Sequence, residues 1–194
     1  MLLRYLTHPQ VRIDPAIPVP DWGLSEIGAA RVVAFVARGV LTGITTIVSS
    51  AERKAVETAE PIAASVGLDV IVREAMHEND RSATGFLPPP EFEAVADAFF
   101  ANPGISIRGW ERAMDAQARI VRETEAILAG HHGGDIPLVG HSGVGSLLFC
   151  HLAGTPIARI NDQPPGGGNV FAYDLSSGKV LHGWVAMESV EATR

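Results

Sequence analysis

Cysteine is almost missing from this sequence, with Cys150 alone among 194 residues. No disulfide can form within the chain. The place of Cys150 in the apolar run Leu147 to Leu152 reads as a buried structural thiol. A reducing, cytoplasmic setting fits that usage. Long apolar runs are missing too: none approaches the ~18 residues of a membrane span. The opening MLLRYLTHPQ is too short an apolar run for a secretory leader and lacks its small-residue cleavage site. No membrane partner is therefore expected. Lys/Arg clusters are lacking and the net charge is −7, which argues against duplex nucleic acid as a partner. A local positive pocket can still oppose that global sign, so a small phosphorylated ligand remains open. Spacing typical of metal ligands is absent as well. His131-His132, followed by two glycines, reads as an exposed turn, and neither a metal nor a cofactor is expected.

The sequence is 46% hydrophobic and 19% charged, which fits one globular domain over residues 1–194. A chain of this length buries roughly 70% of its unfolded surface without disulfide or metal staples. Buried strands are predicted over Leu2 to Thr7, Gly43 to Ser49 and Ile136 to Gly140, with a further strand over Leu68 to Val72. Helices are predicted from Ser25, as N-cap, to about Arg38, from Ala51 to Val66, over Glu91–Phe100, over Trp110–Leu128 and over Val144 to Ala153. Residues 9–23 hold four prolines and read as an extended loop. Residues 74–90, EAMHENDRSATGFLPPP, form a second long loop of the kind that often carries function. Asn169–Leu175 and Val180–Met187 flank Ser176-Ser177-Gly178 and read as a hairpin.

Strands alternating with helices predict an α/β fold with a mainly parallel central sheet. Ligands of such sheets bind beyond the carboxyl ends of the strands, where the sequence places His8, Ser49-Ser50, Glu74 and His141. At the last of these, Gly140-His141-Ser142-Gly143 presents two reactive side chains. A serine hydrolase would need G-x-S-x-G around Ser142, and the final glycine is misplaced by one. An acid at Asp162 or Asp174 and a base at His182 would complete its triad. The other possibility pairs His141 with His8, which also ends a strand at a sharp turn. One neutral ring could then attack phosphorus while the other, protonated, donates to the phosphoryl oxygens.

Six stretches, taken in order, resemble the histidine phosphatase superfamily, the phosphoglycerate-mutase-like proteins. Leu6-Thr7-His8-Pro9 takes the place of that family's L-x-R-H-G, and Leu24-Ser25-Glu26-Ile27-Gly28 that of its L-T/S-x-x-G. The run Ser49-Ser50-Ala51-Glu52-Arg53-Lys54-Ala55-Val56-Glu57-Thr58-Ala59 follows S-S-x-L-x-R-A-x-Q-T-A. Val72-Arg73-Glu74 stands for L-x-E, Asp115 to Arg119 for D-x-x-x-R, and Gly140-His141-Ser142-Gly143 for S-H-G-G. The resemblance covers about residues 1–155.

It implies a three-layer α/β/α sandwich and a phosphatase acting on a small phosphomonoester. It implies a phosphohistidine on His8, with His141 as second histidine and Glu74 as acid. Ser142 then becomes a turn residue. Mutase activity is less expected, because the chain lacks the length and insertions of sugar-phosphate mutases. The family's arginines are Thr7 and Lys54 here, and its glycine after the histidine is Pro9. A phosphate needs fixed positive donors, and lysine does not reproduce the bidentate fork of arginine. Arg81, with Lys54 or Arg53, is expected to supply the charge. Arg4 lies about 13 Å back along its strand from His8. Glu78 and Asp80 are alternative acids. The same departures motivate a second reading, a non-catalytic member that binds a phosphorylated ligand or a protein partner.

Overall fold

The computed structural model describes residues 1–192. Six strands form one sheet in the order β3-β2-β4-β1-β5-β6. They are β1 (Leu2–Thr7), β2 (Ile47–Ser50), β3 (Val70–Arg73), β4 (Ile136–Gly140), β5 (Asn169–Asp174) and β6 (Lys179–Ala186). The first four pair in parallel, while β5 runs antiparallel to both β1 and β6. The sheet is thus mixed, with a parallel body and an antiparallel hairpin along one side. Five α-helices accompany it: α1 (Glu26–Ala37), α2 (Arg53–Val66), α3 (Pro89–Ala101), α4 (Ala113–Ala129) and α5 (Ser142–Leu152).

Alternation along the strands sorts the core into two layers, because successive side chains point to opposite faces. Leu3, Tyr5, Val48, Leu138 and Phe171 face α3, α4 and α5, with Phe99, Ile120 and Leu147. Leu6, Ile47, Val139 and Val170 face α1 and α2, with Phe35, Ala59 and Ile62. Strands buried on both faces read as continuous apolar runs, which is why β1 and β4 are legible to the residue.

Several boundaries differ from the sequence expectation, each for a local reason. β2 starts at Ile47 rather than Gly43, because Gly43 turns at φ +68° and Ile44 makes a lone bridge to Asp135. β3 is a sheet-edge strand, with Ile71 and Val72 exposed. The segment around Trp110 is not yet helical: Arg108 sits at φ +52°, and α4 begins at Ala113. α2 begins at Arg53, after the Ser50 hydroxyl accepts from the Glu52 amide. α5 begins two residues early, at Ser142.

The entry to α1 is built as expected, with the Ser25 hydroxyl accepting from the Gly28 amide. Gly28 has a second task. A Cβ there would lie 2.2 Å from the Gln10 carbonyl oxygen, so the helix packs directly on the backbone of the loop after β1. Gly28→Ala is therefore expected to destabilise the protein by about 1–3 kcal/mol, overriding the ~1 kcal/mol alanine gains in a free helix. Chemical denaturation checks this; an unchanged or raised midpoint would contradict it.

Candidate active site

The parallel strands deliver two histidines to one place. His8 follows β1 and His141 follows β4, and the adjacent register of these strands sets their rings 5.3 Å apart between centroids. The His8 amide donates to Gly140 O at 3.0 Å, extending the ladder by one residue. His8 Nδ1 lies 2.8 Å from the Pro9 carbonyl oxygen. A carbonyl only accepts, so Nδ1 carries the proton and Nε2 of the neutral ring keeps its lone pair. Burial, with His141 alongside, pushes the His8 imidazole down to about 3.

His141 is fully buried at the N-cap of α5. The Tyr5 hydroxyl clamps its backbone, accepting from His141 N at 3.1 Å and donating to His141 O at 3.2 Å. Its Nε2 lies 2.8 Å from Ser50 Oγ and 3.6 Å from a Glu52 carboxylate oxygen. Its Nδ1 has no partner among the described residues. Burial holds this imidazole below its usual value, although Glu52 and Glu78 pull the other way. The free protein therefore holds both rings neutral, where the sequence had suggested one protonated.

This neutrality has a thermodynamic sign. An unfolded imidazole takes its proton near 6.5, whereas folded His8 resists it down to about 3. The stability it contributes is complete above the unfolded value and is lost as pH falls toward the folded one. Buried His141 acts in the same direction. Between pH 6.5 and about 5, above the carboxylate range, wild type is expected to lose thermal stability on acidification. His8→Gln should show a shallower loss. Parallel melting-temperature profiles would contradict the assignment.

Two carboxylates close the site. Glu78 is buried and accepts from the α5 amides of Gly143 (3.1 Å) and Val144 (3.0 Å). It thus sits where a helix N-terminus favours an anion. Burial pushes its carboxyl up, but Arg81, His141 and the amide of Asn79 outweigh that and hold it low. Glu52 accepts from the Glu78 amide and pairs with Lys54. Burial opposes its ionisation, yet His141 and Lys54 bring it down to about 2.

The expected cations are distributed unevenly. Lys54 is 3% exposed and is spent on Glu52 and on the Val19 carbonyl at 2.8 Å. Arg53 is exposed and pairs with Glu57 at 2.7 Å. Arg81 lies 3.9 Å from Glu78, with its guanidinium over the rings of Phe92 and Trp110. At the first family arginine stands Thr7, buried in a neutral network: its hydroxyl donates to Gln163 at 2.6 Å and accepts from the Asn169 amide. Arg4 is held by Asp135 at the other end of β1.

A cavity of about 880 Å³ opens beside these groups. Glu52, Glu78, Asn79 and Arg81 line it, together with the Pro18–Trp22 segment and Phe86, Leu87 and Phe92 of the long loop and α3. His8 and His141 are not among its lining residues; His141 stands one side chain further in, 3.6 Å from Glu52. Glu74 is exposed on the lining, and Asp80 turns its carboxylate to the Ser82 amide. Ser142 is hydrogen-bonded to no histidine among the described residues. Asp162 receives the Ser146 hydroxyl, and His182 lies on β6 against Gly183 O, so the alternative triad is not assembled. Sequence reasoning had not found Tyr5, Glu52 or Asn79 as parts of the site. No group of three or more His, Cys, Asp or Glu among the described residues could hold a metal ion.

The sequence matches the histidine phosphatase superfamily (branch 1) over residues 14–183. The chain belongs to that superfamily. His8 lies just ahead of the matched stretch, where Thr7 and Pro9 depart from the pattern. Solved structures of similar fold include a mycobacterial glucosyl-3-phosphoglycerate phosphatase with inorganic phosphate. It is 22% identical, with 96% of this chain and 98% of that chain covered and a TM-score of 0.79. Bacillus stearothermophilus YhfR is 21% identical, with 98% and 96% covered and a TM-score of 0.77. A phosphoserine phosphatase from Entamoeba histolytica, in complex with 3-phosphoglyceric acid, is 14% identical, with 95% and 97% covered and a TM-score of 0.77. No curated protein matches the sequence. The fold is the phosphoglycerate-mutase-like α/β sandwich. No helix among the described residues is long and apolar enough to cross a membrane.

Proposed function

We propose that this histidine phosphatase superfamily member hydrolyses a small phosphomonoester through a phosphohistidine on His8. The observation that carries the reading is the His8 ring itself: neutral, fixed by Pro9 O with its proton on Nδ1, and 5.3 Å from His141. Nε2 then attacks phosphorus, the P–N bond forms, and the ester P–O bond breaks. The partnerless Nδ1 of His141 and the Arg81 guanidinium are suited to the phosphoryl oxygens.

The leaving oxygen needs a proton; of the two buried carboxylates at the site, Glu52 is paired with Lys54, which leaves Glu78. An arriving phosphate dianion raises its proton affinity by like-charge repulsion and competes with it for the α5 amides. Glu78 thus takes up a proton from solvent as the dianion binds, gives it to the leaving oxygen, and afterwards takes the proton of the attacking water as the P–N bond breaks. Glu74, which holds the family position for the acid, is exposed on the cavity lining.

Steady phosphate release from an aryl phosphate, inhibited competitively by orthovanadate, tests the reading. Arg81→Ala is expected to weaken vanadate inhibition by about tenfold, the loss of one charge-assisted contact. Unchanged inhibition and turnover would remove Arg81 from the site. Thr7, which brings no charge, together with the Glu52 and Glu78 carboxylates favours a second reading, a protein that binds a phosphorylated ligand without turning it over. Vanadate binding with no phosphate release would select that reading.

A further inference from the structure

The cavity beside the dyad is larger than a phosphate group needs, and its chemistry is one-sided. Its walls are apolar where they are broad: Trp22 and Phe86 pack with ring centroids 5.7 Å apart, and Leu87, Phe92 and three prolines also line it. Its polar lining includes six acidic residues, Asp21, Glu52, Glu74, Glu78, Asp80 and Glu93, of which Glu52 pairs with Lys54 and Glu93 with Arg159, against one guanidinium, that of Arg81. Arg81 is already engaged with Glu78 and two aromatic rings. Lys54 is spent on Glu52 and Val19 O, Arg119 on Glu111 and the His77 carbonyl, and neither lines the cavity. Asn79, 5% exposed, borders the cavity with its amide Nδ2 unpartnered among the described residues, which leaves a neutral donor for an incoming oxygen.

We infer that the substrate, on the reading of the site given above, is the phosphomonoester of a bulky apolar alcohol that carries no negative charge beyond the phosphoryl group. The phosphate competes with Glu78 for the Arg81 guanidinium and the α5 amides. The leaving group lies against Trp22 and Phe86. A carboxylate or second phosphate on it would be desolvated among like charges with no cation to meet it. An ammonium group there would be accepted.

Three esters with the same 3-phenylpropyl alkoxide leaving group test this, differing at the para position by methyl, aminomethyl or carboxylate. The full chain is assayed at about pH 7, where all three substituents hold their intended charge, and phosphoprotein is trapped in parallel. The methyl and aminomethyl esters are expected to exceed the carboxylate ester in kcat/KM by about tenfold or more. Asp21→Asn, which removes one of the lining charges, should narrow that gap by about twofold. A carboxylate ester turned over as well as the methyl ester, with phosphoprotein trapped, would overturn the inference and leave the phosphatase reading standing. No turnover and no phosphoprotein with any ester would overturn both.

Discussion

His8→Ala is expected to remove turnover by a factor on the order of 10⁴ or more, with the fold intact. Deleting a nucleophile leaves only binding and electrostatic assistance, which do not by themselves cleave a phosphomonoester at a useful rate. The ring is also well placed for clean deletion. It is half-buried, and among the described residues its side chain hydrogen-bonds to the adjacent Pro9 carbonyl alone, so an alanine strands no distant partner. The backbone that carries residue 8 is held by Gly140 O and by the Gly168 amide, and both bonds survive the substitution. Melting temperature at neutral pH should change little while phosphate release disappears. A variant that retains more than about a tenth of wild-type activity would place the nucleophile elsewhere.

Glu78→Gln is the second large effect, and its size should depend on the leaving group. An alkoxide needs a proton as it departs, whereas a nitrophenolate does not. The variant is expected to lose about a hundredfold or more on an alkyl phosphate and far less on nitrophenyl phosphate, in line with the usual worth of general acid catalysis. Glutamine can still accept from the α5 amides through its carbonyl, so the loop should stay docked. Glu74→Gln, at the exposed lining, should change both substrates by a small and equal factor. The reverse pattern, with Glu74→Gln selective and Glu78→Gln not, would assign the proton to Glu74 and leave Glu78 as an anchor of α5.

The parts of this site that were legible in the sequence are those written into continuous strands. β1 and β4 are buried on both faces and end abruptly, at His8 and at Gly140 before His141, so both histidines stood out without knowledge of their pairing. The Ser25 cap, the Gly67 stop of α2 and the hairpin of β5 and β6 follow equally local rules. What stayed hidden was carried by contacts between distant residues. Glu78 reaches α5 across 65 positions from an irregular loop with no periodicity to place it. Tyr5 reads as one more apolar strand residue, yet its hydroxyl grips both backbone groups of His141. Arg53 and Lys54 are adjacent in sequence, but the start of α2 sends one to solvent and the other to Glu52. Thr7 in place of an arginine was visible. That its neighbours Gln163 and Asn169 form a neutral network around it was not.

The most direct test is to trap the covalent intermediate. Wild type is mixed with an aryl phosphate, denatured within the first turnover, and digested under alkaline conditions, where a phosphoramidate survives. The account predicts an acid-labile, alkali-stable phosphate on the peptide that contains His8, absent from His8→Ala and present in Glu78→Gln. Phosphate on any other residue, or steady turnover with none trapped on His8, would contradict it.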